Sequence, residues 1–234
     1  MQPWNRRLLE YTDRMRIERY GTSSSKIYKW LIDPLIARLR PRITRLCVKH
    51  GVGNLLDIGT ATGAQCRALH AAGIRAVGLD LSEAMVAAAK AWSSEDIEYV
   101  VGSAFELPFA DASFHAALLS LALHEHSEEE RTRMLAEALR VLEPDGYLVL
   151  AEYSEPTQMR LHIPWLVIQL IENIAGTEHR TGFHQFMATD GLSGLLQRHG
   201  LSPIEIVYSH FRTLAIAIIP VAQHLESSTS VNVA

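Results

Sequence analysis

A short strand-turn-helix stretch, LLDIGTATG at residues 55–63, constrains the fold of this chain more than any other feature. Asp57 lies in a run of apolar residues, and Gly59 and Gly63 flank a tight turn into a helix. Glycine lets a backbone approach a ligand closely, and a helix N-terminus offers N–H groups to an anion. A dinucleotide site of the Gly-x-Gly-x-x-Gly type needs three glycines. Because Ala61 holds the middle position and no third glycine follows, the turn disfavours NAD.

From residue 53 onward, short apolar runs alternate with helical patterns. The predicted strands are residues 54–58, 76–79, 97–101, 116–121 and 147–151, with a closing pair at 204–208 and 212–219. The predicted helices are residues 64–72, 83–92, 128–142 and 192–199. Ser82 suits a helix N-cap, Ser127 and Glu130 have the spacing of a capping box, and residues 144–146 read as a turn. Near-continuous apolar strands alternating with helices predict an α/β fold around a buried parallel sheet.

Three segments depart from this alternation. Residues 1–50 show helical periodicity and are predicted to form a helical N-terminal lid. Residues 155–190, rich in histidine and aromatic side chains, are predicted to form an inserted cap that contacts a ligand; an amphipathic lid helix with core aromatics is the alternative. Residues 227–234 are small and polar and are predicted to be a flexible tail.

Charge is distributed unevenly along the chain, whose net charge is -4. Residues 1–50 hold 12 Lys and Arg against 4 Asp and Glu, whereas the remainder holds 10 against 22. The basic segment suits weak contact with an anionic membrane surface, or it folds back on the acidic domain behind it. Nucleic acid is disfavoured as a partner because the whole chain is acidic. A homodimer remains compatible with these patterns.

Two cysteines, Cys47 and Cys66, are too few for a disulfide framework and fit a reducing compartment. We find no secretory leader pattern at the N-terminus and no apolar run long enough to span a bilayer. These observations predict a cytoplasmic protein.

Four further motifs make a family resemblance specific. In order, residues 54–152 contain LLDIGTATG, AVGLDLSEAMVAAAK, VVGSAFELPFADASFHAALLSLALHE and ALRVLEPDGYLVLAE. Together they resemble class I S-adenosylmethionine-dependent methyltransferases, of the type that includes ubiquinone and menaquinone C-methyltransferases. The resemblance implies a Rossmann-like, seven-stranded, mostly parallel sheet with helices on both faces, in a domain spanning residues 51–226. It also implies S-adenosylmethionine as cofactor and a small apolar or aromatic acceptor, such as a quinone or phenol.

The resemblance also implies roles for individual residues. The cofactor's methionine part would lie along the turn and the end of the fourth strand, its ribose hydroxyls on Asp80, and its adenine between the second and third strands. The residues concerned are Asp57, Gly59, Thr60, Ala61, Gly63, Asp80, Leu81, Ser103, Ala104, Ser120 and Leu121, with Tyr28 closing over the cofactor. The position of Asp80 at a strand end independently favours ribose binding, although an acid there also suits the dipole of the next helix.

Three positions depart from the family pattern: Ala61 replaces the middle glycine of the turn, and Ser103 and His115 replace frequent aspartates. A serine accepts a hydrogen bond but brings no charge. These departures motivate an alternative function, a non-catalytic S-adenosylmethionine-binding or regulatory protein with the same fold.

The reaction itself points to His124, which follows the fourth predicted strand. A base is needed only if the acceptor is protonated, and imidazole titrates near neutral pH. We therefore predict His124 as base or acceptor-orienting residue, Glu125 as the group that holds its ring, and Tyr153 as a residue facing the ligand crevice. The alternative places His124 and His126 on a solvated loop. No metal site is predicted, because the histidine spacing supplies no clear third ligand.

Overall fold

A computed structural model describes residues 37–154 and 177–222 of the chain. The described helices are α1 (Arg40–Lys49), α2 (Ala64–Ala71), α3 (Glu83–Trp92), α4 (Glu128–Arg140), α5 (Thr177–Ala188) and α6 (Gly191–Arg198). The strands are β1 (Asn54–Ile58), β2 (Arg75–Asp80), β3 (Glu98–Val101), β4 (Phe114–Ser120), β5 (Leu142–Tyr153), β6 (Glu205–Ser209) and β7 (Leu214–Pro220). Residues 1–36, most of the predicted cap and the predicted tail lie outside the described residues.

The seven strands form one sheet in the order β3-β2-β1-β4-β5-β7-β6. Strands β1 to β5 pair in parallel, and β7 runs antiparallel between β5 and β6. This topology confirms the predicted seven-stranded, mostly parallel sheet. Because parallel crossovers are right-handed, α2 and α3 cover one face of the sheet, and α4, which connects strands running outward in the other direction, covers the opposite face.

The central strands form the core. Leu55 and Leu56 in β1, Leu118 in β4 and Leu150 in β5 are completely buried. Helices on both faces exclude water from these strands, which explains why each reads as a continuous apolar run instead of alternating with polar residues.

Helix starts follow the sequence signals. The hydroxyl of Ser82 accepts a hydrogen bond from the Met85 N–H at 3.3 Å and caps α3. Ser127 and Glu130 form a reciprocal capping box, with bonds of 3.3 and 2.9 Å, that begins α4. Both caps confirm the predictions made from residue type and spacing.

The start of β5 differs from the prediction. The strand begins at Leu142, so α4 ends two residues earlier than predicted and residues 144–146 lie within the strand. The register of β5 against β4 shifts between Phe114 and Ala116, and the shift absorbs these residues as an irregularity. At Gly146 an added Cβ would meet the His115 carbonyl oxygen at 2.7 Å, so this close approach requires glycine.

The described part of the basic N-terminal segment contacts an acidic residue of the domain. Lys49 Nζ lies 2.7 Å from Glu205 Oε2, and His50 Nε2 lies 3.0 Å from the same oxygen. This contact ties the end of α1 to the edge strand β6. Among residues 37–154 and 177–222, no helix is both long and apolar enough to cross a membrane.

Candidate active site

The carboxyl ends of the parallel strands meet at one edge of the sheet, where β1 is flanked by β2 on one side and β4 on the other. The connections leave β1 in opposite directions at this point, and open α/β sheets bind ligands in the crevice so formed. Partly exposed residues follow four of these buried strands: Gly59, Ala61, Asp80, Leu81, Ser103, Ala104, Ser120 and Leu121. All were predicted cofactor contacts, and the fold brings their backbones to this one edge.

The turn after β1 has an unusual backbone. Gly59 and Gly63 have φ of 78° and 73°, and Ala61 adopts 48°, in the left-handed region that costs a residue with a Cβ energy. Gly63 is also tightly packed, because an added Cβ would lie within 2.3 Å of the Tyr99 hydroxyl oxygen. That hydroxyl donates to the Gly63 carbonyl at 3.3 Å. The β3 side chain therefore supports the turn from behind.

Asp57 lies beneath the turn and is 2% exposed. Its Oδ2 accepts hydrogen bonds from the Thr60 hydroxyl at 2.7 Å and from the Cys66 thiol at 3.5 Å. Burial raises the pKa of Asp57 to about 6, against the opposing effect of these two bonds. The carboxyl is thus a buried acid that titrates not far below neutral pH.

Asp80 links the ends of β1 and β2. Its Oδ2 accepts from the Ala61 N–H at 2.8 Å and its Oδ1 from the Ser82 N–H at 2.9 Å. Burial raises the pKa of Asp80, and the negative charge of Glu125 across the crevice raises it further. Asp80 therefore has a role at the start of α3, as the alternative interpretation held, yet each oxygen keeps a second lone pair for a ligand hydroxyl.

The loops after β3 and β4 complete the rim of the crevice. The Ser103 hydroxyl accepts from the Phe105 N–H at 3.3 Å, so it shapes its own loop. Leu121 has φ of 54°, a strained conformation for a bulky residue, and its N–H donates to the Ala151 carbonyl at 2.8 Å. This bend turns the chain away from β4 toward His124.

The turn also has unmet hydrogen-bonding capacity. Within the described chain, two buried side-chain atoms have no hydrogen-bond partner, Thr62 Oγ1 and Gln65 Oε1. One belongs to the glycine turn and the other to the first turn of α2. Buried polar atoms are normally paired, so this is where a bound polar group fits. Together with the ribose-binding capacity of Asp80, this feature makes the crevice suitable for S-adenosylmethionine.

His124 is 3% exposed and therefore does not lie on a solvated loop. Its Nδ1 lies 3.0 Å from Oε2 of Glu152, the penultimate residue of β5. Oε1 of the same carboxylate accepts from the Leu123 N–H at 2.7 Å. The prediction that Glu125 holds the ring is wrong, because the fully buried Glu152 does so from the neighbouring strand.

Aromatic rings surround this pair. The ring of Tyr153 packs edge-on against His124 at 4.8 Å between centroids, and Phe183 of α5 contacts Tyr153 at 5.1 Å and His124 at 6.2 Å. We call His124, Tyr153 and Phe183 the aromatic cluster. Phe183 and Phe186 are almost fully buried, as the alternative for the cap segment held. Tyr153 itself is 7% exposed, and its role as a crevice residue stays a prediction.

His126 is also buried rather than solvated. Its Nδ1 lies 3.4 Å from Glu130 Oε2 and its Nε2 lies 3.9 Å from Glu125 Oε1. Its ring packs edge-on against Phe105 at 5.5 Å. These contacts join the loop after β3 to the loop after β4. No group of three metal-ligating side chains occurs in the parts of the chain that the structure describes.

Several predicted residues lie elsewhere. His115 is near the start of β4, where its Nδ1 accepts from the Gly53 N–H at 3.4 Å, at the sheet edge opposite the crevice. Its departure from the family pattern therefore does not bear on the site. Tyr28 lies outside the described residues, as do His162 and Trp165 of the predicted cap.

Two functional residues were missed, Glu152 and Arg131. Glu152 ends an apolar strand, and a buried acid is costly unless it is paired, so its position was a usable signal. Arg131 falls on the same α4 stripe as Met134, Leu135 and Ala138, all of them buried. A charged residue on an apolar stripe signals a buried contact.

Comparison with known proteins assigns the family. Residues 56–150 match the model of the methyltransferase domain family. This region is a methyltransferase domain. A demethylmenaquinone methyltransferase from Renibacterium salmoninarum is 41% identical over 103 residues, which cover 44% of this chain and 42% of that relative. The predicted class, a class I S-adenosylmethionine-dependent methyltransferase, is confirmed for this domain. The chain spans about half the length, or less, of the curated relatives it matches.

Solved structures agree on the fold of the methyltransferase domain. An O-methyltransferase family protein from Burkholderia thailandensis superposes with a TM-score of 0.65 at 13% identity, covering 89% of this chain and 62% of that one. A protein from Pyrococcus horikoshii gives 0.59 at 19% identity, covering 79% and 88%. At such identities the similarity establishes the fold alone.

Proposed function

We propose that this chain transfers a methyl group from S-adenosylmethionine to a small apolar or aromatic acceptor that loses a proton in the reaction. The observation that carries the proposal is the buried His124–Glu152 pair, 3.0 Å apart, at the sheet edge where the crevice opens. A histidine oriented by a buried carboxylate is the usual arrangement of a general base.

The cofactor would lie along the crevice, with its ribose on Asp80 and its methionine part on the turn formed by residues 59–63. S-adenosylmethionine supplies a methyl group on a sulfonium, whose leaving group is a neutral thioether. The departing group thus needs no proton. The chain's own residues have to align the acceptor, exclude water and accept the acceptor's proton.

The Glu152 carboxylate settles which nitrogen of His124 is basic. A carboxylate only accepts hydrogen bonds, so Nδ1 carries the proton and Nε2 is the nitrogen that receives one. The negative charge of Glu152 stabilises the imidazolium that results. Because Glu152 also accepts from the Leu123 N–H, its orientation is fixed before the acceptor binds.

Two observations support an aromatic acceptor. The aromatic cluster places Tyr153 and Phe183 against the His124 ring, and aromatic walls with few polar groups suit planar ligands. The relatives matched by residues 56–150 include demethylmenaquinone methyltransferases. We therefore propose a quinone-type or phenolic ring as acceptor, whose ring C–H or hydroxyl supplies the proton that His124 takes.

Calorimetry and turnover assays test the two parts of this proposal separately. Wild type should bind S-adenosylhomocysteine, and Asp80→Ala should bind it much more weakly. Absence of binding by the wild type, or equal binding by the variant, would sink the cofactor assignment. With the cofactor established, methylated product should appear from quinol or phenol acceptors and be lost in His124→Gln. Binding without transfer to any acceptor of a broad panel favours the non-catalytic alternative.

For a partner, we propose weak contact between α1 and an anionic membrane surface. Arg38, Arg45 and Val48 are exposed on this helix, with Val48 at 53%. Cationic and aliphatic side chains side by side suit a lipid headgroup layer. Wild type should sediment with vesicles containing phosphatidylglycerol but not with pure phosphatidylcholine, and Arg38→Gln/Arg45→Gln should stay in solution. Sedimentation velocity of the free protein tests the homodimer.

A further inference from the structure

Arg131 is a buried cation in the second turn of α4, with 2% of its surface exposed. Its side chain points back toward the loop between β4 and α4. Nε donates to the Leu123 carbonyl at 2.9 Å, and Nη2 reaches the His124 carbonyl at 3.5 Å. The guanidinium therefore holds the carbonyl oxygens of two successive residues, one of which is the proposed base.

The same guanidinium contacts α5. Its Nη2 also donates to the Gly182 carbonyl at 3.3 Å, and its central carbon lies 4.9 Å from the centre of the Phe186 ring. Gly182 itself lies directly on the loop, because an added Cβ would meet the Glu125 carbonyl carbon and oxygen at 2.6 Å. The helix that carries Phe183 of the aromatic cluster is thus docked on the His124 loop through Arg131.

Glu152 holds this loop from its other side. It accepts from the Leu123 N–H and pairs with the His124 ring, while Arg131 binds the carbonyl groups of the same two residues. The segment between the two charges is therefore restrained at its N–H, its carbonyls and its imidazole. Burial lowers the pKa of Arg131, and the carboxylates of Glu128 and Glu152 oppose that shift.

We infer that Arg131 is a positioning residue that couples the docking of α5 to the placement of the His124 imidazole. The role of His124 in this inference rests on the proposed function. When α5 is docked, its Gly182 carbonyl completes the set of acceptors around the guanidinium, and the loop is fixed. When α5 is displaced, Arg131 loses one acceptor and its ring contact, and the restraint on His124 weakens. The acceptor-side wall and the base are thereby assembled together.

The geometry requires arginine. A guanidinium presents five N–H donors in a rigid planar fork and can serve several carbonyls and a carboxylate together, whereas a lysine ammonium is a compact point charge. Arg131→Lys therefore keeps the buried charge but cannot bridge the loop and α5. Arg131→Met removes the charge as well. The two variants separate the contribution of bridging from that of charge.

Arg140 offers a matched control on the same helix. Its guanidinium also donates to two loop carbonyls, those of Phe109 at 2.9 Å and Leu107 at 3.0 Å, but it does not contact the His124 loop. Arg140→Met thus removes a comparable set of hydrogen bonds from α4 at its other end. Its effects report general loss of structure.

Hydrogen exchange of the full-length protein followed by mass spectrometry tests the coupling without any need for turnover. In Arg131→Lys and Arg131→Met, exchange should accelerate severalfold in both 121–126 and 177–188, whereas Arg140→Met should accelerate exchange near 103–111 only. Acceleration in just one of the two segments, or the same pattern from Arg140→Met, overturns the inference. The outcome does not depend on the acceptor, so it is separate from failure of the proposed function.

Kinetics with a working acceptor provide the second readout. Displacing a catalytic group by about 1 Å costs on the order of 100-fold in rate, so Arg131→Lys should lower kcat by about tenfold or more. Its affinity for S-adenosylhomocysteine should stay at the wild-type value, because the cofactor crevice lies on the turn and Asp80. A variant whose kcat equals that of the wild type, or whose kcat and cofactor affinity fall together, contradicts a positioning role.

Discussion

His124 Nδ1 lies 3.0 Å from Glu152 Oε2, although 28 residues separate them in the chain. The sheet creates this pair: β4 and β5 are parallel neighbours, and Ser120 is aligned with Ala151 at their carboxyl ends. The residues that follow each strand therefore emerge side by side. The position of the proposed base is set by strand register and not by its own loop alone.

Glu152→Gln tests this pairing. The amide oxygen can still accept from the Leu123 N–H, but the charge that stabilises an imidazolium is gone. We expect kcat to fall by about 100-fold or more, within the range that general base catalysis supplies. Affinity for S-adenosylhomocysteine should not change. Glu125→Gln, at the neighbouring carboxylate, should lower kcat far less; equal losses from the two variants would contradict our assignment of the ring partner.

Ala61→Gly should stabilise the protein and tighten cofactor binding. Ala61 is partly exposed at φ of 48°, so glycine relieves backbone strain of about 1 kcal/mol and loses little packing. Ala112→Gly is the matched control, since Ala112 has φ of 51° on an exposed turn away from the crevice. Urea unfolding should show similar gains for both variants, and calorimetry should show tighter binding only for Ala61→Gly. Tighter binding in both would remove the site-specific explanation.

Asp57→Asn should make the protein more stable at neutral pH. Folding raises the pKa of this acid from 3.8 to about 6, so between those values the folded state binds more protons than the unfolded state. Stability is therefore lost as pH rises through this window, by at most about 3 kcal/mol. The variant, which cannot ionise, should lack that loss. Chemical denaturation at pH 5, 6, 7 and 8 checks this; parallel curves for wild type and variant would rule it out.

The same acid should make cofactor binding depend on pH. S-adenosylmethionine carries positive charge on its sulfonium and ammonium groups, which favours the ionised form of Asp57. The affinity of the wild type should therefore fall as pH drops below about 6, the pKa of Asp57. Calorimetry across pH 5 to 8 measures the slope. Asp57→Asn should bind more weakly at pH 8 with a flatter profile, and a profile as steep as that of the wild type would assign the effect to another group.

Gly63→Ala should destabilise the turn by more than backbone strain alone. The new methyl group meets the Tyr99 ring, and overpacking of this kind costs about 1–3 kcal/mol. Gly73→Ala is the control, because Gly73 has a similar φ of 83° and open space around it. Urea unfolding should give a clearly larger loss for Gly63→Ala. Equal losses would mean that Tyr99 moves aside without cost.

Much of the fold could be predicted because its signals are local. Each buried strand is a short apolar run, and the capping box of Ser127 and Glu130 marks its helix by residue type and spacing. Asp57 and Asp80 could be placed at one edge because parallel strands end together. The β5 irregularity could not be predicted, since residues 144–146 have turn composition and only pairing with β4 makes them part of a strand.

The partner of His124 was mispredicted for a related reason. Glu125 is adjacent in sequence, whereas the residue that reaches the imidazole comes from the next strand in the sheet. Arg131 was overlooked because charge in a helix usually means solvent exposure. The helix's own stripe of buried residues includes it, and that spacing was visible in the sequence.

Gly182 packs against the Glu125 backbone with no side chain between them. Two chains in such contact cannot slide past each other, and neither can accept a larger residue without a change in the other. Acceptor preference can therefore diversify through the exposed α5 positions 181, 184 and 185, while position 182 stays fixed together with the loop it touches. In a mutational library of α5, we expect position 182 to tolerate almost nothing and its exposed neighbours to vary freely.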